Sequence, residues 1–301
     1  MLGKFYLNQG RLREAVAALS AACRLSPASW EYEDWLGLAY LRADSLASAE
    51  AAFRRAAGKA PWSPRPHLHL SQVYDEQGRR AEGERERGIF ARLSPVQERV
   101  ALYERKVGDH PDSPRARQVL GMAYLEQGRL TEALERFRQA LSLGPGFAAA
   151  YHGIGRVLQA RGQLAQALQS YERACQLDPD LLEAHVDLGQ AYHRARRYDR
   201  AIAAYRQALA LEPDRALIYT NLGMAHALAG QLKAAVAAFS EGLKRVPDSV
   251  DTRDALAQVY ASQGRLREAV AEWQAVLRLD PDHPRAAAAI RQARRRYPSE
   301  N

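Results

Sequence analysis

The chain has 301 residues, 47% apolar and 26% charged, the balance of a folded, soluble protein. No run approaches the ~18 consecutive apolar residues of a membrane span, and the opening MLGKFYLNQGRLREA lacks the apolar middle and cleavage site of a signal peptide. The net charge of +8 is interspersed with acid, as from Leu130 to Arg138, and so reads as solvated helix surface. Only Arg291, Arg294, Arg295 and Arg296 form a basic block.

Prolines give the chain a ruler. Pro27, Pro61 and Pro95 stand 34 residues apart, and so do Pro111, Pro145, Pro179, Pro213, Pro247 and Pro281. The step from Pro95 to Pro111 is 16 residues, about half a period. Each period has the same grammar. In the copy from Tyr151 to Pro179, Tyr151, Ile154, Gly155 and Leu158 share one helical face. Ala160 to Gln163 interrupts it, then Leu164, Ala167, Leu168, Tyr171, Ala174 and Leu177 mark a second helix, which Asp178-Pro179 ends. The spacing predicts paired helices of about 12–14 residues each.

In chain order, the first copy (Leu2-Gly3-Tyr6-Ala15-Leu19-Ala22-Pro27) begins close to its marker glycine, as if its first helix were cut short. The second fits well through Leu36-Gly37-Tyr40-Ala49-Phe53-Ala56-Pro61. In the third, Gly83 and Arg87 stand where the alanine and the bulky residue belong, so its second helix, Arg79 to Leu93, is expected to be the loosest. Residues 96–113 read as an extra half-repeat: one helix, with Val96, Val100, Tyr103 and Val107 on one side, and a possible kink. Five regular copies fill 114–281, and 282–301 reads as a basic capping helix over Pro284 to Tyr297. Residues 1–95 form the N-terminal stack. Gly37, Gly121, Gly155, Gly189 and Gly223 sit mid-helix at a cost of ~1 kcal/mol each relative to Ala, which implies close helix packing there. Ala257 replaces them in the last copy. The facing helix repeats a small residue and then a large one, such as Ala167 and Tyr171, a pairing that suits tight contact.

Leu-Gly, Tyr, Ala, a bulky residue, Ala and Pro in 34 residues resemble the tetratricopeptide repeat over nearly the whole chain. The resemblance implies an all-α, right-handed solenoid of tandem hairpins whose first helices line a concave groove. It also implies that the groove takes a peptide or protein. The groove-lining residues expected on this basis are Gln118, Met122, His152, Arg156, Gln159, Asp187, Gln190, His193, Asn221, Met224 and Gln258. Amides pair with main-chain groups and methionine adapts to varied side chains. The Lys–Asn pair with which some relatives grip a terminal carboxylate is absent, and only Asn221 matches the asparagine-lined grooves of another branch.

No chemistry-bearing motif competes with a non-enzymatic scaffold. There is no P-loop and no HExxH, and Gly153-Ile154-Gly155 follows no strand. No cofactor or metal is expected. Cys23 and Cys175 form no CxxC and read as packing residues. His67 and His69 point to different helix faces, and His185 and Tyr219 hold packing positions. Nucleic acid is not expected as a partner, because the groove lacks a ladder of aromatics for base stacking. The alternative role is the targeting region of a larger protein such as a glycosyltransferase. The missing export signal makes the cytoplasm the default location, with an upstream signal or anchor as the other option.

Overall fold

A computed structural model describes residues 2–296, with 294–296 by backbone alone. Tyr297 and the side chains of Arg294, Arg295 and Arg296 therefore lie outside the described residues. All regular structure among the described residues is helical: α1 (Leu2–Asn8), α2 (Leu12–Leu25), α3 (Trp30–Arg42), α4 (Leu46–Lys59), α5 (Pro64–Glu76), α6 (Arg80–Asp109), α7 (Pro114–Glu126), α8 (Leu130–Leu143), α9 (Ala148–Ala160), α10 (Leu164–Leu177), α11 (Leu182–Arg194), α12 (Tyr198–Leu211), α13 (Ala216–Leu228), α14 (Leu232–Arg245), α15 (Val250–Ser262), α16 (Leu266–Leu279) and α17 (Ala286–Arg296). The chain divides into two compact units, Met1–Arg136 and Phe137–Asn301. Within each, helices pair as antiparallel hairpins in a right-handed solenoid, and each second helix also packs on the first helix of the next pair.

The marker glycines are sockets. A Cβ added at Gly37 would stand 2.5 Å from the Phe53 ring, and one at Gly155, Gly189 or Gly223 would stand 2.5 Å from Tyr171, 2.5 Å from Tyr205 or 2.6 Å from Phe239. Those rings are at most 1% exposed, closed in by Ala49, Ala167, Ala201 and Ala235 at 0%. Gly153 presses on Phe137 from the following pair in the same way. In the last pair Ala257 faces Trp273, whose indole N–H donates to Asp254 Oδ1 at 3.1 Å. Replacing Gly189 with Val drives two methyls into the Tyr205 ring. We expect about 3 kcal/mol of destabilisation, read as a lower urea midpoint by circular dichroism.

The turn between paired helices is fixed by φ and by a side-chain clip. Gly162 (φ 76°) and its counterparts adopt the left-handed region, which glycine enters without strain; Asp44 (54°) and Arg196 (57°) hold it in two pairs. Across this turn an arginine guanidinium lies over a tyrosine ring in four pairs: Arg11 on Tyr6, Arg79 on Tyr74, Arg129 on Tyr124 and Arg265 on Tyr260, at 4.3–4.6 Å. The same arginines also bond a glutamate three residues on, as Arg11 does Glu14 and Arg79 does Glu82. His226 and Gln231 replace this pair in α13–α14 with a 2.7 Å hydrogen bond.

Around Pro95 the structure corrects the expected boundaries. The second helix of the third pair and the extra helix over 96–108 are a single 30-residue helix, α6, with Pro95 inside it. Elsewhere the ruler proline follows an extended C-cap such as Asp178 and opens a turn. Here Pro95 stands close to Leu93, Gln97, Glu98 and Arg99, good helix formers, with no turn residue just beyond it, and the helix runs on. The missing N–H costs one backbone hydrogen bond, while the Ser94 hydroxyl donates back to the Phe90 carbonyl at 2.9 Å. Arg87 is no buried knob but bonds Asp75 Oδ2 at 2.6 Å on the surface. Replacing Pro95 with Ala restores the backbone bond, and we expect about 2 kcal/mol of stabilisation, seen as a higher unfolding midpoint.

At the other end, α17 lays Ala286, Ile290 and Ala293 against Ala257, Trp273 and Val276. It covers the apolar side that the last hairpin would otherwise expose.

Candidate functional site

In the second unit α9, α11, α13 and α15 touch in succession, so four first helices form one face. The expected groove residues occupy two depths on it. His152 (7% exposed) lies on the floor, in the seam with the next pair, and Asp254 (6%), not among the expected residues, is buried at the same depth. His152 Nε2 is 2.8 Å from Asp187 Oδ2, and Arg156 Nε is 3.9 Å from the same oxygen. Asp254 accepts from Gln258 Nε2 at 2.7 Å as well as from Trp273, with Arg285 at 3.7 Å. Asp187 and His152 are thus tied to each other across two pairs. Gln159, Gln190, His193 and Asn221 are half-buried. Gln159 Oε1 has no hydrogen-bond partner among the described residues. His193 packs edge-on against Tyr198 at 5.8 Å, and burial holds its pKa below the usual histidine value.

The outermost stripe runs two, nine and thirteen residues into each first helix, that is i, i+7 and i+11. On α11 it carries Glu183, Gln190 and Arg194, and on α15 Asp251, Gln258 and Ser262. On α13 it is Leu217 (64% exposed), Met224 (40%) and Leu228 (54%). Sequence reasoning found Met224 and missed Leu217 and Leu228. The available signal was that α13, ALIYTNLGMAHAL, has apolar residues on every side, more than one buried face requires.

Gln118 and Met122 belong to the first unit. They line a cleft of about 260 Å³ with Arg99 and Tyr103 of α6 and Glu126 of α7. The polar seam seen at His152 and Asp187 recurs there with the partners exchanged. Asp34, fully buried, meets His69 Nδ1 at 2.8 Å and pairs with Arg65, while His67 turns the other way to Glu86 at 2.6 Å. The Asp34 contacts to His69 and Arg65 join neighbouring hairpins, whereas His67 and Glu86 link the two helices of one.

Behind the face, the Tyr171 hydroxyl is buried with no hydrogen-bond partner among the described residues, and burial pushes its pKa up. Phe53, Phe137 and Phe239 fill the same position elsewhere without an oxygen. Tyr171→Phe should therefore raise stability by about 1 kcal/mol, measured by chemical denaturation, since an orphaned buried hydroxyl costs on that order. Burial likewise pushes the Cys175 thiol up to about 12 and raises that of Cys23, which suits packing rather than reactivity. No group of three or more His, Cys, Asp or Glu that could hold a metal ion occurs among the described residues, and no described helix is long and apolar enough to cross a membrane.

Tetratricopeptide-repeat family models match residues 1–64, 100–146 and 186–250 in one case, 124–169 and 226–293 in a second, and 155–195 in a third. These matches pass over 65–99, where the third pair departs from the pattern. No curated protein matches the chain significantly. Among solved structures, the chain is similar to YrrB, reported as a TPR protein with an unusual peptide-binding site (20% identity over 63% of this chain and 97% of that one, TM-score 0.57). It is also similar to MamA from Desulfovibrio magneticus RS-1 (18%, 57% and 97%, TM-score 0.53). A third likeness is to the C-terminal part of a TPR repeat-containing protein from Cytophaga hutchinsonii (18%, 87% and 99%, TM-score 0.52). At such identities the likeness speaks to the fold. The 34-residue grammar, the glycine sockets and the family matches over more than half of its length agree: the chain belongs to the tetratricopeptide-repeat family.

Proposed function

We propose that the chain is a non-catalytic recruiting scaffold, and that it holds a segment of another protein across α9, α11, α13 and α15. The observation that carries this reading is the exposed stripe of Leu217, Met224 and Leu228. Three large apolar side chains in line on a helix otherwise framed by polar neighbours form a patch that gains free energy when covered. Gln190 on one side and Gln258 on the other offer donors and acceptors to a bound main chain. Arg156, 41% exposed, presents a guanidinium that suits a carboxylate. The likeness to YrrB, reported to have a peptide-binding site, supports a peptide as the ligand class.

In the arrangement proposed, the partner's apolar residues seat on α13 and its polar backbone runs over α11 and α15. His152 and Asp254 lie too deep to touch it first; they set the spacing of the helices that do. A partner captured from the source cell on the immobilised chain should bind the Leu217→Ser/Leu228→Ser variant at least ~10-fold more weakly by titration calorimetry, the range of a modest interface hot spot. Both residues are exposed, so the helical signal should stay unchanged. Equal affinity for the variant would remove the α13 stripe from the interface.

A further inference from the structure

The long helix α6 leaves one place in the first unit unfilled. Its N-terminal half packs on α5, and its C-terminal half meets α7, with the Tyr124 hydroxyl donating to Glu104 at 2.6 Å and Gln127 Nε2 to Gln97 Oε1 at 2.9 Å. The helices α5 and α7 thus follow one another along α6, and the loop before α5 meets the turn after α7, where the Arg129 guanidinium lies 4.1 Å from the Trp62 ring centre. From residue 96 onward, α6 stands to α7 as a second helix stands to the next first helix. It has no first helix of its own among the described residues of this unit.

The register identifies what faces that empty place. Counting back from Pro111, Arg99, Tyr103 and Lys106 stand where Ala167, Tyr171 and Ala174 stand before Pro179. In the regular pair those residues are closed over by a first helix, with Gly155 on the Tyr171 ring. Here the two alanines have become long cations, which cannot admit a backbone at that distance. The aromatic knob remains, half-buried, with Lys106 Nζ 5.5 Å from its centre. The cleft of about 260 Å³ lies between this edge and Gln118, Met122 and Glu126 of α7.

We infer that this vacant first-helix seat docks an acidic segment of a partner protein, one apolar side chain entering between Tyr103 and Met122 and carboxylates meeting Arg99 and Lys106. Arg99 is paired with Glu126, but both are about half exposed, so the pair exchanges readily for a ligand carboxylate. The chain's net charge of +8 favours an acidic partner and opposes a second copy of itself. A single aromatic with two cations offers no stacking ladder for a nucleic-acid strand. The inference is independent of the α13 stripe, which lies in the other unit.

The test is selection of a displayed library of random twelve-residue peptides on the full chain, with counter-selection on the Arg99→Glu/Lys106→Glu variant. The peptides retained should be net acidic, carry a large apolar residue, and bind the variant at least ~10-fold more weakly. Their affinity should fall several-fold between about 50 and 300 mM salt, and Tyr103→Ser should weaken them while Leu217→Ser/Leu228→Ser does not. Circular dichroism of each variant guards against loss of fold. Neutral or basic peptides, equal binding to the variant, or no peptide that discriminates would overturn the proposal. So would a dimer of the wild-type chain in sedimentation that the charge reversal abolishes.

Discussion

The fold depends on a ring pressed into the gap left by a missing Cβ. Between Gly155 and Tyr171, or Gly189 and Tyr205, the two helices of a hairpin come so close that one methyl would collide at 2.5 Å. Each such contact removes a whole aromatic side chain from water, worth about 2–3 kcal/mol, against roughly 1 kcal/mol lost by placing glycine in a helix. Because the contact recurs every 34 residues, every hairpin has nearly the same internal geometry. Successive first helices then come side by side, and a face with a repeating stripe follows as a consequence.

A second, polar layer tunes this repeat. The guanidinium over Tyr6, Tyr74, Tyr124 and Tyr260 clamps the turn that the left-handed residue creates. The buried pairs Asp34–His69 and His152–Asp187 join neighbouring hairpins rather than the two helices of one. Such pairs lose much of their attraction to desolvation, so their contribution is to alignment more than to net stability. With the seam residues used in this way, what projects toward a partner is the stripe above them: polar on α11 and α15, apolar on α13. In the first unit the regularity fails at α6, where Tyr103, Arg99 and Lys106 meet no first helix of their own among the described residues of that unit.

Much of this was legible in the residues. The proline ruler, the marker glycines and the small–large pairs gave the helix pairs nearly to the residue: first helices of 13 and second helices of 14, as in α9 and α10. The third pair's departure from the pattern was legible too, since Gly83 and Arg87 cannot make a knob. The continuity of α6 through Pro95 was not. A proline usually stops a helix, and whether Val96 to Gly108 folds back or runs on depends on the helix formers around it and on what α7 offers to pack against. Of the expected groove residues, Gln190, Met224 and Gln258 stand on the outer stripe, while His152 lies on the floor.

The sequence by itself determined the repeat, the pairing and the face on which each first helix buries its glycine, because 34-residue periodicity and side-chain size act locally, within one hairpin. Only the tertiary structure decided which of the remaining positions face outward and which fall into seams. That depends on the angle at which one hairpin meets the next, which Asp34, His69, His152 and Asp187 fix through contacts 35 residues apart. The apolar stripe of Leu217 and Leu228 and the uncovered edge of α6 both became visible at that level, since exposure belongs to the stack and not to any single helix.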